Sequence, residues 1–132
     1  MIWNTLRAKK EVLGFTHREL SEFVGVEFMQ DWRKAFIRKG LVLKDIYSDE
    51  YLKSLEESKH RISYPEKIFI SKYMPKKLID ISLQSDIYND VMSYYNWHEG
   101  DIFGVEIYNQ KVASLNKQIF MFLWDRAEKA PI

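Results

Sequence analysis

The run "DIYNDVMSYYNWHEGDIFGVEIY", Asp86 to Tyr108, alternates apolar-rich segments with short polar breaks. The first break is "YND", because Asn and Asp tolerate the left-handed backbone of a tight turn. The second break is "HEGD", His98 to Asp101. Strands joined by such turns pair antiparallel. The pattern therefore predicts a meander with a return strand over Val91–Trp97 and a last strand over Ile102–Tyr108.

A strand is also predicted just before the first turn. The segment from Leu78 to Leu83 alternates apolar and polar residues, which is the period of a strand with one buried face. Ile81 and Leu83 would face one way, and the other face would carry Asp80, Ser82 and Gln84. Ser82 and Gln84 are thus expected side by side on one face.

The preceding part of the chain has the order α–β–α–β–α. The predicted elements are a helix over Ile2–Lys10, a strand in "EVLGFTH", helical spacing from Arg18 to Phe36, a strand over Leu41–Tyr47 and a helix capped by Ser48. Gly25 should interrupt the long helical segment, and Gly40 should end it. A strand–helix–strand order favours a parallel pair. A third strand is expected over Lys67–Tyr73.

The C-terminal segment is predicted to be a well-buried helix. Its apolar positions recur at helical spacing. They are Val112, Leu115, Ile119, Phe122 and Leu123, widened by Ala113, Phe120 and Trp124.

Composition bounds the class of protein. The 132 residues, 46% hydrophobic and 15% aromatic, are typical of one folded domain. The net charge of +1 does not favour a dedicated nucleic-acid surface. Cysteine is absent, which rules out disulfides and fits the cytoplasm. His17, His60 and His98 form no ligand-spaced pair, so no metal site is expected.

No targeting or membrane-spanning segment is evident. No apolar run approaches the roughly 20 residues that span a bilayer. The N-terminus "MIWNTLRAKK" has no signal-peptide apolar region and looks like the end of a helix that begins upstream. We therefore expect one domain of a larger protein, or a descendant that lost a partner domain.

Four segments carry a family resemblance. "IYNDV" (Ile87–Val91), "GVEIYNQKVA" (Gly104–Ala113) and "IFMFLW" (Ile119–Trp124) resemble the end of the sensor domain of TrmB-like transcriptional regulators. "FVGVEFMQDWRKAFIRKGLVLKDIYSDE", 23–50, resembles the helix, glycine stop and second strand of that domain. Each motif is degenerate, and the specificity comes from their order.

The resemblance implies a fold and a role. The fold would be α/β and phospholipase D-like over residues 1–132, with a mixed sheet flanked by helices, a C-terminal antiparallel meander and a closing helix. The role would be non-catalytic effector binding, without a cofactor, for a sugar or another small metabolite. Family members carry DNA-binding winged helices before this domain, so DNA contact would need a domain absent from this chain. The resemblance also suggests a homodimer.

The same resemblance directs attention to three positions. Phospholipase D-like enzymes carry H-x-K-x-x-x-x-D, and on this chain the frame falls on Ser82, Gln84 and Asn89. No base lies next to Ser82 in the sequence, and the two amides lack the charge of Lys and Asp. Neutral donors and acceptors suit a polyol better than a phosphodiester. The alternative is that these are ordinary strand and turn positions.

Three further residues are candidates for ligand binding. His17 and Arg18 follow the first predicted strand, where ligands of α/β sheets often bind, and could hold an anion. The alternative is a helix start capped by Thr16 and Glu19. Trp97 lies in an aromatic–polar stretch that could stack on a sugar or meet a protein partner, or simply pack on the sheet. A ligand-free dimerisation or scaffold module and a divergent hydrolase remain the rival functions.

Overall fold

The computed structural model describes residues 1–58 and 62–129, so His60 lies outside the described residues. In these ranges seven strands form one mixed sheet in the order β6-β5-β4-β1-β2-β3-β7. The strands are β1 Glu11–Thr16, β2 Val42–Tyr47, β3 Phe69–Tyr73, β4 Gln84–Tyr88, β5 Val91–Asn96, β6 Phe103–Tyr108 and β7 Glu128–Lys129. The helices are α1 Ser21–Val24, α2 Val26–Arg38, α3 Asp49–Glu57 and α4 Gln110–Trp124, with 3-10 turns at Trp3–Arg7 and His98–Gly100.

Strand directions follow the connections. β1 and β2 run parallel, as the strand–helix–strand order predicted, and β4, β5 and β6 form the predicted antiparallel meander. β3 also runs parallel to β2, for which the sequence analysis gave no direction. β4 also pairs antiparallel with β1 and so joins the two halves. The mixed α/β architecture is therefore confirmed.

Side chains alternate between two covered faces of the sheet. The front face carries Val12, Gly14 and Thr16 of β1 and is covered by α2 and the first 3-10 turn, with Trp32 and Phe36 in its apolar cluster. The back face is covered by α4. Its core contains Leu13, Ile46, Ile87, Met92, Phe120 and Trp124.

Local backbone preferences fix several boundaries. Gly25 has φ +89° and separates α1 from α2, and Gly40 has φ +70° just after α2, as predicted for both. Asn89 adopts φ +49° in the β4–β5 turn. Asn109 caps α4, because its side-chain oxygen accepts a hydrogen bond from the Val112 amide at 3.1 Å.

The strand predicted before the first turn is confirmed only in its last part, because its alternating segment Leu78–Leu83 is not a strand. Residues 76–78 form a turn, and the strand begins only at Gln84 and continues to Tyr88. All five of its residues are buried, because β4 lies between β1 and β5 with both sheet faces covered. A strand in that position shows no polar–apolar alternation, so the alternation upstream was misleading.

Three helix predictions also need correction. The helix expected over Ile2–Lys10 is a 3-10 turn over Trp3–Arg7. Thr16 does not cap a helix, because it ends β1 and donates to Asp45 instead. Ser48 does precede α3, but its hydroxyl is buried without a hydrogen-bond partner among the described residues.

The helix α4 buries a narrower face than predicted. Ala113, Phe120 and Trp124 are buried against the sheet. Leu115, Ile119 and Phe122 are 58%, 47% and 57% exposed. At about 100° per residue, these three point away from the sheet. No helix of the described residues is both long and apolar enough to cross a membrane.

Candidate functional site

A cavity of about 960 Å³ lies over the front face of the sheet, above Gly14. Gly14 pairs with Asp45 on one side and with Asp86 on the other, because β1 lies between β2 and β4. Both carboxyl groups therefore point to the same face as the Gly14 position and line the cavity. The centre of the sheet thus places two acids on the floor of one cavity.

Each acid is held by neutral hydrogen-bond donors. Asp45 accepts from the Thr16 hydroxyl at 2.7 Å and from the Ser71 hydroxyl at 2.5 Å. Asp86 accepts from the Tyr95 hydroxyl at 3.1 Å. These bonds fix the orientation of the carboxyl groups but supply no positive charge.

The acids are electrostatically destabilised in their charged form. Burial raises the pKa of Asp45 above its ordinary value, against the hydrogen bonds from Ser71 and Thr16. Burial also raises the pKa of Asp86 to about 6, and the nearby Asp45 carboxylate adds to this shift. Perturbed acids in a cavity are typical of functional sites.

Gly14 keeps the space between the two acids open. A Cβ at this position would lie 2.9 Å from the Ser85 carbonyl oxygen and 3.1 Å from Asp86 Oδ1. The first contact is with backbone and cannot be relieved by a side-chain rotation. The glycine is therefore needed for the close approach of β4 and of the Asp86 carboxyl group.

A buried tyrosine also lines the cavity. Tyr47 is almost fully buried and lines the cavity, and its hydroxyl has no hydrogen-bond partner among the described residues. Burial and the Asp45 charge raise the pKa of Tyr47 to about 12, so the hydroxyl stays protonated. Aromatic side chains form much of the remaining wall, namely Trp32, Tyr51, Tyr64, Phe69 and Tyr95.

Arg18 is occupied by an ion-pair cluster. Its side chain is 2% exposed and contacts Glu22 at 2.6 Å, Glu50 at 2.5 Å and Glu57 at 2.7 Å. The hydrogen bond with Glu22 raises the pKa of Arg18 further, although burial opposes the shift. Three carboxylates already neutralise this guanidinium, so the predicted anion-binding role of Arg18 is not supported.

A second, smaller cleft of about 320 Å³ brings His17, Ser82 and His98 to one place. The His17 and His98 ring centroids lie 6.1 Å apart, although the two residues are distant in sequence. His17 Nδ1 lies 2.9 Å from the Ile81 carbonyl oxygen. His17 is a base that shares this cleft with Ser82. The sequence could not indicate this, because the two residues are far apart along the chain. Among the described residues, no hydrogen bond joins their side chains.

The three positions of the phospholipase D-like frame do not form one site. Ser82 is exposed and precedes β4. Gln84 is buried at the start of β4, where its side-chain oxygen accepts from the His17 amide at 3.1 Å. Asn89 lies at the other end of β4, about 16 Å further along the strand at its usual rise per residue. Asn89 there bonds the Lys9 amide at 3.0 Å and the Arg7 carbonyl at 2.9 Å.

Trp97 packs against the α1 region. Its ring stacks on Phe23 with centroids 5.1 Å apart, and its Nε1 donates to Glu22 at 3.1 Å. Of the six predicted ligand-binding residues, Gln84 and Arg18 line the large cavity, and His17 and Ser82 line the small cleft.

The sequence analysis missed Asp45 and Asp86. Asp45 lies in the strand "LVLKDIY", where Lys44 is half-exposed but Asp45 is buried, and a buried acid in a strand is an unusual feature that could have drawn attention to it. Asp86 precedes the predicted turn "YND" and was not singled out, because nothing in the neighbouring sequence indicates what faces its side chain. Among residues 1–58 and 62–129, no group of three or more His, Asp or Glu side chains could hold a metal ion.

Comparison with known proteins gives a fold but no family. No family model matches the sequence. No curated protein matches it either. The structure is similar to that of TrmBL2, described as an archaeal chromatin protein with a novel mode of DNA binding, with a TM-score of 0.62 and 22% identity. The match covers 98% of this chain and 52% of that one, so this chain spans about half the length of TrmBL2. At this level of identity the match establishes the shared fold.

Proposed function

We propose that this chain is a non-catalytic, effector-binding regulatory domain of phospholipase D-like fold, of the kind found in cytoplasmic TrmB-like transcriptional regulators. The observation that carries the proposal is the front-face cavity, whose lining includes Tyr47, a residue with a buried hydroxyl that has no partner among the described residues. A buried polar atom without a partner is costly and is stabilised when a ligand supplies the hydrogen bond. The similarity to a chromatin protein supports a regulatory role.

The absence of catalysis is proposed from the degenerate motif. Ser82, Gln84 and Asn89 stand where the enzymes have His, Lys and Asp, and the last two lie at opposite ends of β4. Without the charged groups, a phosphodiester would lack the stabilisation that its transition state requires. A divergent hydrolase that uses the small cleft is the alternative. Turnover of bis(p-nitrophenyl) phosphate that His17→Ala abolishes would favour it.

DNA contact is assigned to a domain outside this chain. The balance of 20 basic and 19 acidic residues does not favour a DNA-binding surface here. Ligand binding in the cavity would then act on DNA binding through the domain arrangement rather than through direct contact.

A thermal-shift screen tests the effector-binding function. Sugars, nucleotides and phosphorylated or amine-bearing metabolites are added one by one, because a ligand of the native state raises the melting temperature by mass action. The shift produced by a true effector should fall in Tyr47→Phe, which lacks the hydroxyl, and persist in Tyr108→Phe, whose side chain is exposed. Shifts that are equal in both variants would contradict binding in this cavity.

A second role, self-association, is favoured by one observation. The outer ridge of α4, defined as Leu115, Ile119 and Phe122, is apolar and solvent-exposed at i, i+4 and i+7 spacing. Such a ridge matches the seam of a two-helix contact, in which the same surface from two copies packs together. We propose a homodimer formed through this ridge.

A further inference from the structure

The charge of the front-face cavity is unbalanced. Among the described residues, no Lys, Arg or His forms an ion pair with Asp45 or Asp86. Arg18 lines the cavity but is held by three glutamates. Lys72 and Lys129 also line the cavity. Lys72 extends from the back face of β3 and donates to the Trp124 carbonyl at 3.0 Å. The amino terminus attracts the Asp86 charge only from a distance.

We propose that this cavity binds a small organic cation, a primary amine or a guanidinium group on an apolar body, between Asp45 and Asp86. The inference rests on the proposed effector-binding function and names the class of effector. A cationic head would supply both the missing charge and several N–H donors to the two carboxylates.

Tyr47 is a further polar residue in the wall of this cavity. It lies on the same face of β2 as Asp45, two positions along the strand, and its hydroxyl has no hydrogen-bond partner among the described residues. Its oxygen can accept a hydrogen bond from an ammonium or guanidinium N–H. Trp32, Tyr51 and Tyr64 would surround the apolar body of the ligand and contribute cation–π attraction.

The geometry favours an organic cation over a metal ion. Asp45 and Asp86 lie on strands that flank β1, so their backbones are about 10 Å apart, which is two strand spacings. Calcium and magnesium need six or more oxygen ligands close together. The described residues hold no such cluster. A group with several N–H donors can bridge a wider gap.

A neutral polyol fits less well than a cation. Its hydroxyls could donate to the same oxygens, but they would leave the two buried negative charges without compensation. The difference in binding affinity between an amine and an alcohol of equal shape therefore measures how much the positive charge contributes.

The test compares matched ligands on the intact chain. Agmatine, putrescine and phenethylamine are titrated by calorimetry beside 1,4-butanediol and 2-phenylethanol, the uncharged counterparts of the last two amines. At least one amine should bind about tenfold or more tightly than its alcohol, as expected for a hydrogen-bonded charge. Asp45→Asn and Asp86→Asn should each weaken that binding about tenfold. Asp31→Asn removes one charge from the exposed surface of α2 and should leave binding unchanged.

A second measurement does not depend on the variants. The Gly14 amide lies between the two acids, so an amine should shift its nuclear magnetic resonance signal in the wild-type protein. Failure of all three amines to bind would overturn the proposal, as would equal affinity in Asp31→Asn, Asp45→Asn and Asp86→Asn. If sugars or alcohols bound with an affinity that neither Asp45→Asn nor Asp86→Asn changed, the proposed ligand class would be wrong, but the proposed effector-binding function would still be supported.

Discussion

Asp45 and Asp86 face the same cavity from the two strands that flank Gly14. The pairing of β4 with β1 produces this relationship, since β4 brings the second acid beside the parallel strands. Two acids without a cationic partner destabilise the fold, which is a common property of residues kept for binding.

Gly14→Ala should lower stability. The added Cβ meets the Ser85 carbonyl oxygen at 2.9 Å and Asp86 Oδ1 at 3.1 Å, so β4 must shift. We expect a loss of about 1–3 kcal/mol in urea unfolding, typical of overpacking. Gly104→Ala is the control, because its closest contact is the flexible end of the Met1 side chain. Equal losses in the two variants would contradict a special role for Gly14.

Asp86→Asn should raise stability at neutral pH. The pKa of Asp86 is raised to about 6 in the folded protein, so the folded state binds more protons than the unfolded state between about pH 4 and 6. The Asp86 contribution to stability is therefore fully present below the unfolded pKa and is lost as pH rises through the folded pKa. A shift of this size corresponds to at most about 3 kcal/mol.

The measurement is the melting temperature of both proteins at pH 7.5 and pH 4.5. The gain from Asp86→Asn should be largest at pH 7.5 and smaller at pH 4.5, while Asp31→Asn should show no such difference. The groups that act on Asp86 are Tyr95, Gln84, Asp45 and the amino terminus, and all remain in the variant. If Asp86→Asn were less stable than the wild type at pH 7.5, the Asp86 carboxylate would have to be stabilised in its charged form in the folded protein, which would contradict the prediction.

Arg18→Gln should destabilise the protein. Removing the guanidinium leaves Glu22, Glu50 and Glu57 close together without a cation. The carboxylates are partly solvated, so we expect a loss of about 2–3 kcal/mol rather than the larger values for fully buried pairs. Arg33→Gln, which loses a hydrogen bond to the Ser63 carbonyl, is a surface comparison. A loss in Arg18→Gln no greater than in Arg33→Gln would show that the cluster contributes little.

Asn89→Ala should affect folding and leave ligand binding unchanged. The side chain bonds the Lys9 amide and the Arg7 carbonyl, and the residue adopts φ +49°. Loss of both bonds and of the favoured turn residue should cost about 1–2 kcal/mol. Asn116→Ala in α4 serves for comparison, because Asn116 also makes two side-chain hydrogen bonds, from the Tyr94 hydroxyl and to the Val112 carbonyl, but does not lie in a turn. A change in effector affinity without a change in stability would instead support the ligand-binding role predicted for Asn89.

Ile119→Lys should abolish self-association without unfolding the domain. The side chain is exposed in the outer ridge of α4, so a charge there disrupts a symmetric apolar contact but no core packing. Light scattering should give a dimer for the wild type and a monomer for Ile119→Lys. Gln118→Lys, next to the ridge, should remain dimeric. A monomeric wild type would refute the dimer.

Turn chemistry made several boundaries predictable. Gly25, Gly40 and Asn89 were expected at breaks because their backbones tolerate positive φ, and all three adopt it. The error at Leu78–Leu83 arose because alternation reports only a half-buried strand. β4 is buried on both faces, so its own sequence, "QSDIY", carries no such pattern.

The candidate site was predictable only in part. Gln84 was expected in a polar site and does line the cavity, but the other members of its frame lie elsewhere. The exposed ridge of α4 was assigned to the core, because apolar spacing shows that a helix has an apolar face and not which of two faces meets the sheet.

The sequence by itself determined the parallel pairing of β1 with β2, the antiparallel meander and the breaks at Gly25, Gly40 and Asn89, because these depend on neighbouring residues. Tertiary structure alone decided that Asp45 and Asp86 share a cavity and that Arg18 meets three glutamates. Those contacts depend on the insertion of β4 beside β1 and on the docking of α3, and non-local pairing leaves no periodic signal in the chain.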